Sequence, residues 1–186
     1  VYPGSFDPLT IAHLEIAFAA TRAAQLDRID LAISRETLGK EHHEQLPIED
    51  RVAAIGRAAA TRPWLGVIVT DARLVTDIAR GYDAVVMGAD KWAQVQDPAW
   101  YGGSSDARDA ALALLPRILV APRHGFETTG VEVLDVDPAL AGISSTAARD
   151  GAHHLIAPEV RRRLIVDGNN VIGTRPDGWW RDREGA

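Results

Sequence analysis

The sequence contains no cysteine, which removes a disulfide framework, a thiolate zinc site and a cysteine nucleophile together, and makes the reducing cytoplasm the expected compartment. An excess of positive charge is also missing: 20 Lys and Arg face 26 Asp and Glu, for a formal net charge of -6 and a pI near 5.5. That balance argues against nucleic acid as a partner of residues 1–165. Long apolar runs are absent. Charged residues interrupt every apolar stretch before the roughly 18 to 20 residues that span a bilayer, and no signal-like segment precedes the first motif, so no membrane partner is expected. A chain of 186 residues suits one globular domain that buries its core without staples, and a homo-oligomer is compatible with all of this.

What is present is alternation. Residues 29–33, 67–69, 84–87, 118–121 and 131–134 read as strands; the second to fourth are almost wholly apolar, as when both faces of a parallel sheet are covered. Between them the pattern predicts helices over about residues 11–25, 48–61, 73–80, 105–115 and 158–164, the second opened by Pro47. Strand and helix in turn imply βαβ crossovers and an α/β, doubly wound parallel sheet. Such folds bind ligands beyond the carboxyl ends of their strands, which places Gly4 and Ser5, then Gly88 to Asp90, then Ile143 to Thr146 at one rim. Only Val1 and Tyr2 precede the first turn, and residues 164–171 read like the opening strand of another unit, so both ends give the expectation of a piece of a longer protein.

The rim residues have a common chemistry. Gly4 and Ser5 follow the first strand, and a helix begins near Ile11 after Pro8 and Thr10, so backbone N–H groups and a helix N-terminus face one pocket. His13 lies one turn after Thr10, which lets both side chains point at the same phosphate. Ser144 or Ser145 caps a later helix, and Arg149 projects a fork of donors one turn on. Adjacent His42 and His43 with Glu44 do not converge as a tetrahedral site requires, and no dedicated carboxylate cage is found, so no protein metal site is expected.

The segment Tyr2-Pro3-Gly4-Ser5-Phe6-Asp7-Pro8 with Thr10-Ile11-Ala12-His13 resembles the first signature, His/Thr-x-Gly-His, of the adenylyltransferases that make NAD and coenzyme A precursors. Ala12 stands where that family has Gly, a methyl on the approach of the nucleotide. Ile143-Ser144-Ser145-Thr146-Ala147-Ala148-Arg149 matches the family's second signature residue for residue, and Lys40 followed by Pro47 and Arg51 resembles its acceptor-side segment. Gly88-Ala89-Asp90, then Trp92 and Trp100, resembles the nicotinate and nicotinamide mononucleotide branch, whereas Thr10 is the variant of the pantetheine-phosphate branch. Pro158 and Val160 recur as the family's close, after a stretch from Arg149 that is shorter than usual.

The resemblance implies a Rossmann-like nucleotidylyltransferase domain over residues 1–165 that moves AMP from ATP to a small phosphorylated acceptor. Nicotinate or nicotinamide mononucleotide is the favoured acceptor and phosphopantetheine the alternative. It implies catalytic roles for His13, Lys40 and Arg149, with nucleotide contacts from Gly4, Ser5, Phe6, Thr10, Gly88, Asp90, Ser144, Ser145 and Thr146. Acceptor contacts fall to Lys40, Arg51, Trp92 and Trp100, and Mg2+ enters carried mainly by ATP. Two readings of another class remain beside it: a nucleotide-binding regulator with weakened catalysis, and a domain serving an RNA-processing protein. The last is motivated by residues 166–186, where Val166-Asp167-Gly168-Asn169-Asn170 resembles the first strand of PIN-like or NYN-type nucleases, and where Trp179 and Trp180 could dock on the domain.

Overall fold

Among the described residues the named strands pair in parallel. The computed structural model describes residues 1–35 and 45–160. Along them run β1 (Tyr2–Pro3), α1 (Ile11–Ala24), β2 (Ile29–Ser34), α2 (Ile48–Ala59), β3 (Leu65–Thr70) and α3 (Val75–Ile78). Then follow β4 (Ala84–Gly88), α4 (Ala89–Gln96), α5 (Ser105–Leu112), β5 (Arg117–Ala121), β6 (Glu132–Val133) and α6 (Ser145–Arg149). β2 lies between β1 and β3, and β5 between β4 and β6. The two halves meet at Val1, whose nitrogen donates to the Ala84 carbonyl at 2.7 Å and whose carbonyl accepts from the Val86 N–H at 2.8 Å. The strands are thus ordered β3-β2-β1-β4-β5-β6, and the direction of winding reverses between β1 and β4, where an open α/β sheet leaves a crevice.

Period-two side-chain alternation sends neighbouring residues to opposite faces. Leu31, Ile33, Ala84, Val86 and Leu119 join a core with Leu14, Ile16 and Ala17 of α1 and Ala54, Ile55 and Ala58 of α2. Ala32, Val85, Met87 and Val120 join a second core with Val75 and Ile78 of α3 and Trp92 and Val95 of α4. Helices therefore cover both faces, the doubly wound Rossmann-like arrangement expected, and apolarity on both sides explains the unbroken apolar strands.

The differences from expectation are local. Only one turn, α3, forms within 73–80, and α5 stops at Leu112, ahead of Pro116, which disfavours helical backbone in the residue before it. β6 is two exposed residues where 131–134 was expected. α4 was not anticipated, although Ala89, Trp92 and Val95 are buried at helical spacing along it. Of the helix expected at 158–164, residues 158–160 are helical and the remainder lies outside the described residues, as do Lys40, His42, His43, Glu44 and the segment 166–186.

Candidate active site

α1 places His13. Thr10 is the helix cap: its hydroxyl accepts from the His13 N–H at 3.4 Å, and His13 Nδ1 accepts from the Thr10 N–H at 3.0 Å, a reciprocal box in which imidazole replaces the usual Glu or Gln. A nitrogen that accepts from a backbone N–H holds no proton of its own. The hydrogen bonding therefore assigns the ring proton to Nε2, which makes Nε2–H the donor of the imidazole. Phe6 stands edge-on to this ring, with centroids 5.1 Å apart, and to Tyr2 at 5.5 Å. Phe6 also fills the space beside Gly4, where a Cβ would come within 2.8 Å of Phe6 Cζ. Burial pushes the Tyr2 phenol up to about 12; Arg123 acts against that shift and Asp90 with it, so Tyr2 stays neutral at physiological pH.

The second signature docks onto the first. Ser144 caps α6 by accepting from the Ala147 N–H at 3.1 Å, and Ser145 Oγ donates to the Pro8 carbonyl at 3.0 Å. Arg149 donates from Nη1 to the Asp7 carbonyl, lies 3.7 Å from the Asp7 carboxylate, and donates from Nη2 to Thr146 Oγ1 at 3.2 Å. Ala157 N–H closes the arrangement on the Leu9 carbonyl at 3.0 Å, so the segment before Pro158 braces the start of α1. From the other side Arg51, buried on α2, donates to the Leu46 and Ser5 carbonyls, each at 3.0 Å. Its burial lowers the guanidinium pKa from the ordinary value, opposed by Asp7 and Glu49.

The β4 half supplies the facing wall. Asp90 opens α4, and its carboxylate lies 3.7 Å from Arg123 Nε. Trp100 rides on a 3-10 turn, Pro98–Tyr101, that begins where Asp97 accepts from the Ala99 N–H at 2.9 Å and is pinned by Tyr101 Oη donating to the Val95 carbonyl at 3.0 Å. Burial raises the Tyr101 pKa, partly offset by Arg108 on α5, so the phenol keeps the proton for that bond.

A cavity of about 380 Å³ opens between these walls, within the range of small-molecule sites. Of the residues singled out in sequence, Gly4, Ser5, Phe6, His13, Gly88 and Asp90 line it, as do Trp100 and the Ser144, Ser145 and Thr146 triplet. Thr10, Arg51, Trp92 and Arg149 do not line it. Thr10 is fully buried in its cap, Trp92 sits in the second core, Arg51 donates to two backbone carbonyls, and Arg149 is held by the Asp7 carbonyl and Thr146 Oγ1. The Ala12 methyl points into the first core and away from the cavity. Arg73, Lys91 and Arg123 also line the cavity and were not singled out. Arg73 and Arg123 follow the ends of β3 and β5, so the strand-end rule that located Gly4 and Gly88 applies to them too. With Asp90 the acidic group among these residues, the lining favours an anionic ligand that also presents hydroxyls. Among the described residues no three His, Asp or Glu converge to hold a metal, and no helix is long and apolar enough to cross a membrane.

The Cytidylyltransferase-like family matches residues 1–151. Phosphopantetheine adenylyltransferase of Rhizorhabdus wittichii is 31% identical over 87 residues, 47% of this chain and 49% of that protein. A probable nicotinate-nucleotide adenylyltransferase of Methylorubrum extorquens is 36% identical over 67 residues, 36% of each chain. The chain thus spans about half the length, or less, of the curated relatives it matches. In fold it is similar to a Plasmodium falciparum nicotinic acid mononucleotide adenylyltransferase complexed with NaAD, with a TM-score of 0.64 at 14% identity, covering 88% of this chain and 92% of that one.

Proposed function

We propose that this chain, which belongs to the cytidylyltransferase-like family, transfers AMP from ATP to a small phosphorylated acceptor. An acceptor phosphate oxygen attacks the α-phosphorus in line, the bond to the β-phosphate oxygen breaks, and pyrophosphate leaves. The observation that carries the reading is the convergence of His13 with Ser144, Ser145 and Thr146 on one cavity at the switch point, opposite Asp90 and Trp100. No protein nucleophile takes part. Catalysis comes from positioning and from donors aimed at charge that grows in the transition state. His13 Nε2–H donates to an α-phosphate oxygen, with the positive end of α1 behind it, and Ser144, Ser145 and Thr146 meet the β- and γ-phosphates. Asp90 accepts from sugar hydroxyls. Arg149, held by the Asp7 carbonyl and Thr146 Oγ1, stands beside that triplet. Lys40 keeps its proposed place at the acceptor phosphate. Magnesium would be carried on the nucleotide and would offset the charge of its phosphates.

The favoured acceptor is nicotinate or nicotinamide mononucleotide, whose flat ring can stack on Trp100. Phosphopantetheine is a second reading, favoured by the likeness to enzymes named for that acceptor. The deciding experiment incubates the protein with ATP, magnesium and each acceptor and follows pyrophosphate together with the adenylylated product. His13→Ala is expected to cut kcat about 10²- to 10⁴-fold. A wild-type protein that binds ATP yet releases no pyrophosphate with any acceptor sinks the enzyme reading; turnover by His13→Ala close to wild type sinks the mechanism.

A further inference from the structure

We infer that Arg123 is a positioning residue that fixes the separation between the sugar side and the phosphate side of the nucleotide cavity, an inference that rests on the adenylyl-transfer reading. Arg123 follows the end of β5 and belongs to no motif found in sequence. Its side chain, 15% exposed, does two things at once: Nε faces the Asp90 carboxylate at 3.7 Å, and Nη1 donates to the Ile143 carbonyl. Asp90 opens α4 on one wall, and Ile143 immediately precedes the Ser144, Ser145, Thr146 triplet on the other. One guanidinium therefore spans the walls that the two parts of the ligand touch.

Gly88 reports how closely these groups are set. A Cβ there would collide with Asp90 Oδ1 and come within 3.3 Å of Arg123 Nε, so carboxylate and guanidinium meet beside a residue that has no side chain. A planar fork serves this geometry because its nitrogens donate in two fixed directions, which a single ammonium cannot copy. Sugar and triphosphate belong to one covalent ligand. Each half-site alone binds its fragment whatever the spacing, but the whole ligand gains from both only when the spacing matches.

The test uses the full chain as wild type and Arg123→Gln, with ATP, adenosine and inorganic tripolyphosphate as separate probes, titrated by ligand-detected NMR alongside steady-state turnover. Positioning predicts that Arg123→Gln weakens ATP about tenfold or more, with a matching rise in KM for ATP, while adenosine and tripolyphosphate each stay within about threefold of wild type. Arg123→Lys keeps the charge and the aliphatic stem and carries the same readout should the Gln variant fail to fold. Three results overturn the inference: unchanged ATP affinity; tripolyphosphate weakened as much as ATP, which marks a direct phosphate ligand; or equal weakening of all three probes, which marks a general disturbance. A wild type that binds ATP but forms no pyrophosphate refutes adenylyl transfer and still leaves the binding comparison to decide Arg123. A wild type that binds no ATP overturns both.

Discussion

Gly4 owes its lack of a side chain to Phe6. An added methyl at position 4 would stand 2.8 Å from Phe6 Cζ and 3.1 Å from each Cε, so the ring has to move. Its backbone has little freedom to absorb the push, because Phe6 already sits at φ 49, in the left-handed region that a bulky residue rarely occupies. The ring also packs against His13, so displacement of Phe6 passes to the imidazole. Gly4→Ala is therefore expected to lower kcat about 10²-fold, the scale of an ångström-sized misplacement, at a stability cost of about 1–3 kcal/mol from overpacking. Turnover and urea unfolding of the same variant check it; lost stability with unchanged kcat would break the proposed chain from Gly4 through Phe6 to His13. Sequence pattern marked Gly4 as a place for close phosphate approach. It could not see the packing reason, because the ring that fills the space is fixed by tertiary structure.

At the scale of elements, Arg51 ties α2 to the β1–α1 turn through the Ser5 carbonyl. Resemblance placed Arg51 at the acceptor, whereas its geometry is that of a strut. Arg51→Met leaves two carbonyls without their donor and removes the cation beside Asp7, at an expected cost of about 2–5 kcal/mol, with KM for the acceptor little changed. Chemical denaturation and acceptor titration together decide between the roles: normal stability with a raised acceptor KM would restore the acceptor assignment. The same contrast explains what was legible. β4 and β5 announced themselves because burial on both faces leaves an apolar run, and α2 because an amphipathic period and a Pro start are local signals. α4 shows its period at only three buried positions, Ala89, Trp92 and Val95, and begins directly at the end of β4, and β6 carries only two exposed residues. Residue type identified Trp92 and Trp100 equally, yet only packing says that Trp92 fills a core and Trp100 a cavity wall. Arg73 and Arg123 lie in irregular connections where no period points at them.

On the scale of the whole molecule, the cavity straddles the seam between two three-stranded halves. β1 is short, and the bonds that join it to β4 are those of Val1 with Ala84 and Val86. Both cores run across this seam: Tyr2 and Leu31 share the first with Ala84, Val86 and Leu119, and Ala32 shares the second with Val85, Met87 and Val120. A nucleotide bound there as proposed would touch His13 on one half and Asp90 on the other, so both halves would feel its binding free energy. At a concentration one hundred times Kd, ATP should stabilise the fold by about 2.7 kcal/mol. Amide hydrogen exchange is the direct measurement: with ATP, opening of β2 and β3 should slow by the same factor as opening of β4 and β5, because neither half can separate without releasing the ligand. Protection confined to β1, β2 and β3 would place the nucleotide on the His13 wall alone, and the coupling ascribed to Arg123 would then have nothing to act on.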